Sequence, residues 1–369
     1  MAGSSWGTLL TMTTWGESHG EGVGVVVDGC PAGLKLQEAD IQRYLDRRKP
    51  GQSRYATKRR ESDEAEILSG VFEGRTTGTP ISLIIQNTDQ RSKDYSQIKD
   101  VYRPGHADYT FDEKYGFRDY RGGGRSSGRE TIGRVAAGAV AARLLESLGI
   151  QVMAYTRSIG PVEIEESGFD REEISRNSLC MPDAAAALRA EEYLRQMMEQ
   201  KDSAGGVVEC VVTGIPAGVG EPVFEKLDAR LAHAVMSIGA VKGVEIGDGF
   251  ACAGSRGTKN NDPFRMNQAV NKPVKTANHA GGILGGISDG STVVLRAAFK
   301  PTPSIASPQQ TVNRQGENVE IVIGGRHDPI IVPRAVVVVE TVTAFTVADM
   351  LLQSMTSRLD RIQKFFSEK

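Results

Sequence analysis

Short apolar runs closed by turn residues predict strands along most of the chain, and the clearest is "GVGVVVDG" at 22–29. The segments 64–74 and 80–87 predict a strand pair around "RTTGT". The other predicted strands cover residues 151–160, 206–216, 291–301, 319–325 and 335–341.

Apolar positions with a helical period predict five helices, at 36–48, 126–149, 182–200, 221–238 and 347–366. In the second of these, Ser127 and Glu130 have the spacing of a capping box, which predicts that the helix begins at Ser127. Gly149 suits its C-terminal end.

The order of these elements predicts an α+β fold, because runs of strands separate the helices and single strands do not alternate with single helices. The polar segment 255–282 has no clear period. A long loop of this kind in a compact domain is usually functional or disordered.

Composition and charge limit the classes of protein that fit. The chain has 369 residues with a net charge of -2, so bulk basicity does not favour nucleic acid or a membrane surface as partner. No apolar run approaches the roughly 20 residues that span a bilayer, and the N-terminus has no targeting pattern. The four cysteines are scattered, as expected of buried thiols in a reducing cytosol.

Two concentrations of positive charge lie in the first third of the chain. The segment 43–60 has eight basic residues and one acid, and the glycine-rich segment 115–134 contains Arg118, Arg121, Arg125 and Arg129. Solvent-exposed charge is one interpretation. The other is an anion site, since the free N–H groups of a helix N-terminus near Ser126 and Ser127 attract phosphate or carboxylate. No Walker loop or GxGxxG unit is present.

In the second interpretation Arg125 and Arg129 flank the anion site. Nothing assigns a ligand to Arg118 and Arg121, which remain a solvated pair.

The five histidines include two in glycine-rich turns beside acids, His19 in "WGESHGEG" and His106 in "YRPGHADY". An imidazole with a pKa of about 6.5 suits proton transfer to a leaving group, although exposed turn histidines are the alternative. His233 lies on the predicted helix 221–238 and is expected to be structural. No histidine or cysteine spacing predicts a metal site.

Two predicted strands end in polar groups. "VIGGRHDP" presents Arg326, His327 and Asp328 before a proline, which is a plausible catalytic display. "LRAAFKPTPS" delivers Lys300, Thr302 and Ser304 in a proline-rich turn that would suit a phosphate.

Six segments taken together resemble the chorismate synthase family, in the family's order and across essentially the whole chain. They are "GESHG" (16–20), "RPGHADYT" (103–110), "YRGGGRSSGRET" (120–131), "MSIGAVKGVEIGDGF" (236–250), "AGGILGGIS" (280–288) and "GRHDP" (325–329).

The resemblance implies a single domain over 1–369 that forms a β-α-β sandwich, with helices packed between antiparallel sheets, usually as a cytoplasmic homotetramer. It implies conversion of 5-enolpyruvylshikimate 3-phosphate to chorismate and phosphate. This 1,4-anti elimination is the last common step to the aromatic amino acids. It needs reduced FMN, which is thought to donate electron density transiently and to take part in removing the C6 proton, yet the reaction is redox-neutral overall.

The resemblance also implies roles for individual residues. His19 resembles the histidine that helps protonate the departing phosphate, His106 the one that protonates reduced flavin, and Asp328 the aspartate near flavin N5. Substrate contacts are implied for Arg48, Arg54 and Arg129, the first two being associated with NADPH in some members. FMN contacts are implied for Arg125, Ser126, Ser127, Gly239, Ala240, Gly285, Lys300, Pro301, Thr302, Pro303, Ser304 and Arg326.

Two departures from the family pattern are visible. Pro303 replaces a serine found in many members, which removes one hydroxyl contact to FMN, and Ile330 stands where cysteine is frequent.

Two other functions compete with this one. A nucleic-acid-binding module is disfavoured by the charge and by the lack of a binding motif. A flavin oxidoreductase with net electron transfer is disfavoured only by the resemblance. With no added reductase-like domain in the sequence, we expect an external source of reduced FMN.

Overall fold

The computed structural model describes residues 3–51, 62–88, 99–269, 271–323 and 328–367. Its first half contains β1 (Ser5–Gly7), β2 (Thr11–Gly16), β3 (Gly22–Asp28), α1 (Glu38–Arg48), β4 (Glu66–Ile67), β5 (Val71–Phe72), β6 (Arg75–Thr76), β7 (Ile81–Gln86), α2 (Asp108–Tyr115), α3 (Thr131–Ser147), β8 (Gln151–Ile159) and β9 (Val162–Glu163).

The second half continues with α4 (Glu173–Arg176), α5 (Ala184–Glu199), β10 (Gly206–Thr213), α6 (Leu227–Met236), β11 (Val241–Ile246), α7 (Gly257–Asn260), β12 (Phe264–Asn267), β13 (Lys272–Lys275), β14 (Ile283–Leu284), β15 (Ile287–Ser288), β16 (Val293–Phe299), β17 (Gln309–Val312), β18 (Asn318–Ile321), α8 (Val332–Gln353) and α9 (Leu359–Ser367).

Two five-stranded antiparallel sheets frame the molecule, in the orders β1-β2-β3-β7-β4 and β11-β16-β10-β8-β9. Burial along β7 alternates because one face of the strand packs on the core. The helices α3 and α8 pack on each other between the sheets: α3 contacts β2 and β3, whereas α8 contacts β8 and β10. The α+β class and the β-α-β sandwich are therefore confirmed.

The predicted strand at 335–341 is wrong, because these residues lie inside the helix α8. A continuous apolar run does not distinguish a buried strand from a buried helix. Neighbouring elements pack on two sides of α8 and bury most of its length, which favours a helix with apolar residues on all faces. The buried Thr341 and Thr346 hydroxyls donate to carbonyls four residues earlier, so the helix itself satisfies these two polar groups.

The same helix has the length and composition of a membrane span. Val332–Thr356 has a mean hydropathy of 1.9 over its most apolar window, and 89% of that window is buried inside the protein. From the sequence we expected no apolar run long enough to span a bilayer, and this helix differs from that expectation. Its burial between two sheets is that of a core helix.

Other predicted boundaries shift. The helix predicted at 126–149 begins at Thr131, after 3₁₀ turns at Gly124–Ser126 and Gly128–Glu130, and Ser127 caps the second turn. The helix predicted at 221–238 is confirmed as α6 after a 3₁₀ turn, and that at 347–366 is broken between α8 and α9. The segment 255–282 contains α7 and the hairpin β12–β13.

Candidate active site

Most of the predicted site residues that the structure describes lie in three groups, to which the structure adds Asp63 and Arg334. We name them the arginine cluster (Arg48, Asp63, Arg129, Asp328 and Arg334), the His19 turn (17–20) and the His106 pocket (103–106 with 300–304). Arg54, Arg326 and His327 lie outside the described residues.

Asp63 is the centre of the arginine cluster. Its side chain is fully buried, Oδ2 accepts from Arg48 Nη2 at 2.6 Å, and Oδ1 accepts from Arg129 Nη1 at 3.1 Å. Burial favours a higher pKa for Asp63, but the two guanidiniums outweigh it and hold that pKa below its usual range. One carboxylate therefore fixes two of the three arginines that are predicted substrate contacts.

Arg48 ends α1 and is completely enclosed. Burial lowers the pKa of its guanidinium to about 10, with Asp63 opposing the shift and the nearby Arg334 and Arg129 reinforcing it. Its Nε has no hydrogen-bond partner among the described residues. A buried cation with an unused donor is suited to an anionic ligand.

Arg334 joins this cluster from the first turn of α8. Its Nε donates to the Arg48 carbonyl at 3.1 Å, and its Nη1 donates to Asp328 Oδ2 at 2.5 Å. The cluster then holds three guanidiniums against two carboxylates among the described residues. The surplus positive charge favours an anion.

The sequence reasoning missed Asp63 and Arg334. Asp63 follows the basic segment 43–60 and has a left-handed backbone (φ 48°), which a sequence does not reveal for an aspartate. Arg334 directly precedes the strand that was wrongly predicted at 335–341, so its position in the first turn of a helix was not expected.

The His19 turn connects β2 to β3 and is largely enclosed. His19 is 8% exposed, and its Nδ1 lies 3.2 Å from Ser18 Oγ. Ser18 Oγ also donates to the Gly122 carbonyl at 3.3 Å. The glycine-rich segment of 120–124 therefore packs directly against the imidazole, which contradicts the alternative of an exposed turn histidine.

Arg125 binds the end of the strand that leads into this turn. Its guanidinium donates to Thr14 Oγ1 at 2.7 Å and to the Gly16 carbonyl at 3.1 Å. Ser126 Oγ donates to Gly123, and Ser127 Oγ accepts from Arg129 N–H. These three residues lie beside the His19 turn, with the Arg125 guanidinium engaged by protein groups.

Arg118 does not form a solvated pair with Arg121. Its side chain is only 4% exposed and donates to Asp112 at 2.5 Å, whereas Arg121 lies at the surface paired with Asp119. The spacing of the four arginines could not show that Arg118 is buried and paired with an acid on α2.

The His106 pocket brings together two of the predicted segments. His106 Nδ1 lies 3.0 Å from the Pro104 carbonyl, which only accepts, so Nδ1 carries the proton. Nε2 then accepts from Ser304 Oγ at 2.9 Å. Lys300 Nζ donates to the Gly105 carbonyl at 2.7 Å. This network joins the 103–106 turn to the 300–304 turn.

Charge and burial keep the His106 imidazole neutral. Burial and then Arg103 lower the pKa of His106 to about 4. Arg103 is itself fixed by a two-pronged ion pair with Asp108. Burial, with Lys242 adding to it, also lowers the pKa of Lys300.

The remaining predicted cofactor residues surround this pocket unevenly. Ala240, after Gly239, has a left-handed backbone (φ 73°), and its carbonyl accepts from Lys300 N–H at 3.0 Å. Thr302 Oγ1 is buried with no hydrogen-bond partner among the described residues. Pro303 packs beside Gly105, and Pro301 is exposed. No hydrogen bond of the described residues links Gly285, in the β14–β15 turn, to the pocket.

Backbone contacts connect the His106 pocket to the arginine cluster. Ser203 Oγ donates to the Thr302 carbonyl at 2.7 Å, and Ala204 N–H donates to the Pro329 carbonyl at 3.0 Å. Pro329 directly follows Asp328. Ser203 and Ala204 therefore link the two groups through hydrogen bonds.

Two surface cavities, of about 230 and 500 Å³, both include Glu146 near the end of α3. None of the described candidate site residues lines them. The charge and hydrogen bonding of the three groups carry the assignment.

His233 and two of the four cysteines agree with their structural interpretation. The His233 ring packs edge-on against Trp6 at 4.6 Å. All four cysteines are free; Cys30 and Cys210 are buried as expected, whereas Cys180 is partly exposed and Cys252 lies at the surface.

Comparison with known proteins gives one family. The family model described as chorismate synthase matches residues 10–352. The chain is 64% identical over 369 residues to a chorismate synthase from Agathobacter rectalis and 62% identical over 368 residues to one from Lachnoclostridium phytofermentans, covering 100% of both chains in each case.

A solved structure described as "Crystal Structure of Chorismate Synthase" is similar throughout. It gives a TM-score of 0.77 at 32% identity and covers 98% of each chain. The chain therefore belongs to the chorismate synthase family, whose members are lyases.

Proposed function

We propose that this protein catalyses the 1,4-anti elimination of phosphate from 5-enolpyruvylshikimate 3-phosphate, forming chorismate with the help of reduced FMN. The observation that carries the proposal is the buried arginine cluster, with its surplus positive charge, next to two histidine-containing groups. A substrate with two carboxylates and one phosphate supplies the missing negative charge.

Arg48 and Arg129 bind these anionic groups, together with Arg54 outside the described residues. Asp63 holds the two guanidiniums before substrate arrives, so little side-chain ordering is left for the binding step. Arg48 Nε provides an unused donor. Arg48 and Arg54 are also the proposed contacts for NADPH where it serves as reductant.

His19 supplies a proton to the departing phosphate. It is enclosed by the glycine-rich segment, and Ser18 Oγ at 3.2 Å from Nδ1 orients the ring. A histidine at this position suits the task because its unperturbed pKa lies near physiological pH.

The His106 pocket and its surroundings fit a flavin phosphate and ring. Three groups there offer polar contacts. The buried Thr302 hydroxyl has no hydrogen-bond partner among the described residues, and the Lys300 ammonium and the Ser304 hydroxyl contact neutral groups. Arg125, Ser126, Ser127, Gly239, Ala240, Gly285, Pro301, Pro303 and Arg326 complete the proposed set. When bound, reduced FMN supplies electron density for phosphate departure.

Asp328 and His106 are the proposed proton-transfer groups on the side of this cofactor. The salt bridge from Arg334 orients the Asp328 carboxylate, and His106 keeps its proton at Nδ1 in the described geometry. An anion bound near Lys300 and Arg103 would remove part of the repulsion that lowers the His106 pKa.

The protein is proposed to act as a cytoplasmic homotetramer of single-domain subunits in aromatic amino acid biosynthesis, with FMN reduced externally. Exposed aromatic side chains such as Phe224 and Phe250, 87% and 81% exposed, provide apolar surface for association.

The function is tested by anaerobic incubation with substrate and chemically reduced FMN. Chorismate absorbance and free phosphate should rise together, at equal amounts. Oxidised FMN alone is the control and should give neither product. Absence of phosphate release with reduced FMN present would contradict the proposal.

A further inference from the structure

Asn87 lies directly after β7 and uses every hydrogen-bonding position of its amide. Oδ1 accepts from Arg129 Nε at 3.0 Å and from Arg129 Nη2 at 2.7 Å. Nδ2 donates to the Glu17 carbonyl and to the Gly20 carbonyl, both at 2.9 Å. One side chain therefore contacts both the arginine cluster and the His19 turn.

The chemistry of the partners fixes the orientation of this amide. A guanidinium only donates and a carbonyl only accepts, so exchanging the amide oxygen and nitrogen would leave all four contacts mismatched. An asparagine with four satisfied contacts resists rotation, and its position determines that of the groups it binds.

The two carbonyls flank His19. The turn between them is also closed by the Gly20 N–H to Glu17 carbonyl bond at 3.2 Å, and Asn87 N–H donates to the Glu21 carbonyl at 3.0 Å. Three contacts from one residue thus fix the backbone on both sides of the imidazole.

At its other end, Asn87 sets the plane of a guanidinium. Asp63 holds Nη1 of Arg129, and Asn87 holds Nε and Nη2. Because a guanidinium is planar, contacts on two edges define its orientation.

We propose that Asn87 is a positioning residue that couples Arg129 to His19, so that the anion contact and the proton donor keep a fixed separation during phosphate departure. The proposal rests on the function proposed above, in which Arg129 binds substrate and His19 delivers a proton. Displacement of a reacting group by about 1 Å can cost roughly 100-fold in rate, which is why such a coupling matters.

Asn87 lies at a strand end and is only partly buried, so its replacement leaves the core intact. The test is Asn87→Ala, with Asn177→Ala as matched control. Asn177 also uses its whole amide, donating to the Glu173 and Met181 carbonyls and accepting from Leu179 and Met181 N–H groups. It lies in the loop before α5, outside the three groups.

Two measurements are made on the full-length proteins. The first is the rate at which diethyl pyrocarbonate modifies His19, followed by mass spectrometry of the peptide. The second is kcat for phosphate release, in the natural sequence and in a His19→Ala background.

Asn87→Ala should raise the His19 modification rate several-fold and lower kcat by roughly 10- to 100-fold. Asn177→Ala should change neither, although it lowers the melting temperature. In the His19→Ala background, Asn87→Ala should lower kcat by less than about threefold, since coupled residues are not additive.

An unchanged modification rate of His19, or an equal loss of kcat in both backgrounds, would overturn the proposal. The modification rate is independent of turnover. If the unaltered protein released no phosphate, the proposed function would fail while this rate still decided whether Asn87 holds His19.

Discussion

His106 shows how neighbours set the chemistry of one side chain. Its two ring nitrogens contact the Pro104 carbonyl and Ser304 Oγ, and burial with Arg103 lowers its pKa to about 4. The sequence identified His106 as a candidate, because a histidine in a glycine-rich turn stands out. The sequence could not show its protonation state, which depends on Arg103 and on a turn almost 200 residues later.

The lowered pKa predicts how stability depends on pH. In the unfolded chain this imidazole has a pKa near 6.5, so it becomes protonated at a higher pH than in the folded chain. The folded state therefore loses stability as pH falls from about 6.5 to about 4. Between pH 7.5 and 4.5 the natural protein should lose roughly 2–3 kcal/mol more than His106→Asn.

Urea unfolding of both proteins at the two pH values measures this difference. Equal losses in the two proteins would contradict a neutral, buried His106.

Gly122 provides a second test at the residue scale. Its φ is +68°, and an added Cβ would lie 2.5 Å from His19 Nδ1 and overlap the ring. Gly122→Ala should therefore displace the imidazole and lower kcat by at least about tenfold. Separately, the left-handed backbone of the alanine should lower the free energy of unfolding by roughly 1 kcal/mol.

Gly149→Ala is the matched control, because φ is +75° and no atom lies within 4 Å of the added Cβ. Steady-state kinetics and melting curves of both variants separate the two effects. A similar kcat for the two variants would show that contact with His19 is not what matters.

Among the elements, α8 shows most clearly where the pattern of apolar residues is insufficient. The residues 335–341 are rich in β-branched side chains, which favour a strand locally. The surrounding layers override this preference, because a helix buried between two sheets needs apolar groups on all sides. The strands β3, β8, β10 and β16 were predictable as short apolar runs that end at turn residues. The helices α1 and α5 were predictable because their apolar residues recur with a helical period.

The packing of α8 against α3 depends on Gly138. A Cβ there would lie 2.6 Å from the Thr341 carbonyl carbon, inside a layer with no room to expand. Gly138→Ala should lower the free energy of unfolding by about 1–3 kcal/mol despite the higher helix propensity of alanine.

Gly133→Ala in the same helix is the control, because the nearest atoms would be 3.0 Å away and need only a small adjustment. Chemical unfolding should show the smaller loss for Gly133→Ala. Equal stabilities for the two variants would contradict close contact between these helices.

Across the whole molecule, the site assembles from segments far apart in the chain. The sequence supplied most of its members: His19, His106, Arg48, Arg129, Lys300, Ser304 and Asp328 all lie in the three groups. It could not supply Asp63, Asn87 and Arg334, because each contacts groups that are distant in the chain, such as the Arg48 carbonyl for Arg334. Polar residues that follow no local sequence pattern can be recognised as site residues only when the positions of their partners in the fold are known.

The proposed elimination needs reduced flavin and consumes none of it. Counting the chorismate formed per flavin oxidised tests this, in an anaerobic reaction with a small amount of reduced FMN and excess 5-enolpyruvylshikimate 3-phosphate. We expect many chorismate molecules per flavin while the absorbance spectrum of the reduced flavin persists. Oxidation of one flavin for each product formed would contradict it and identify an oxidoreductase.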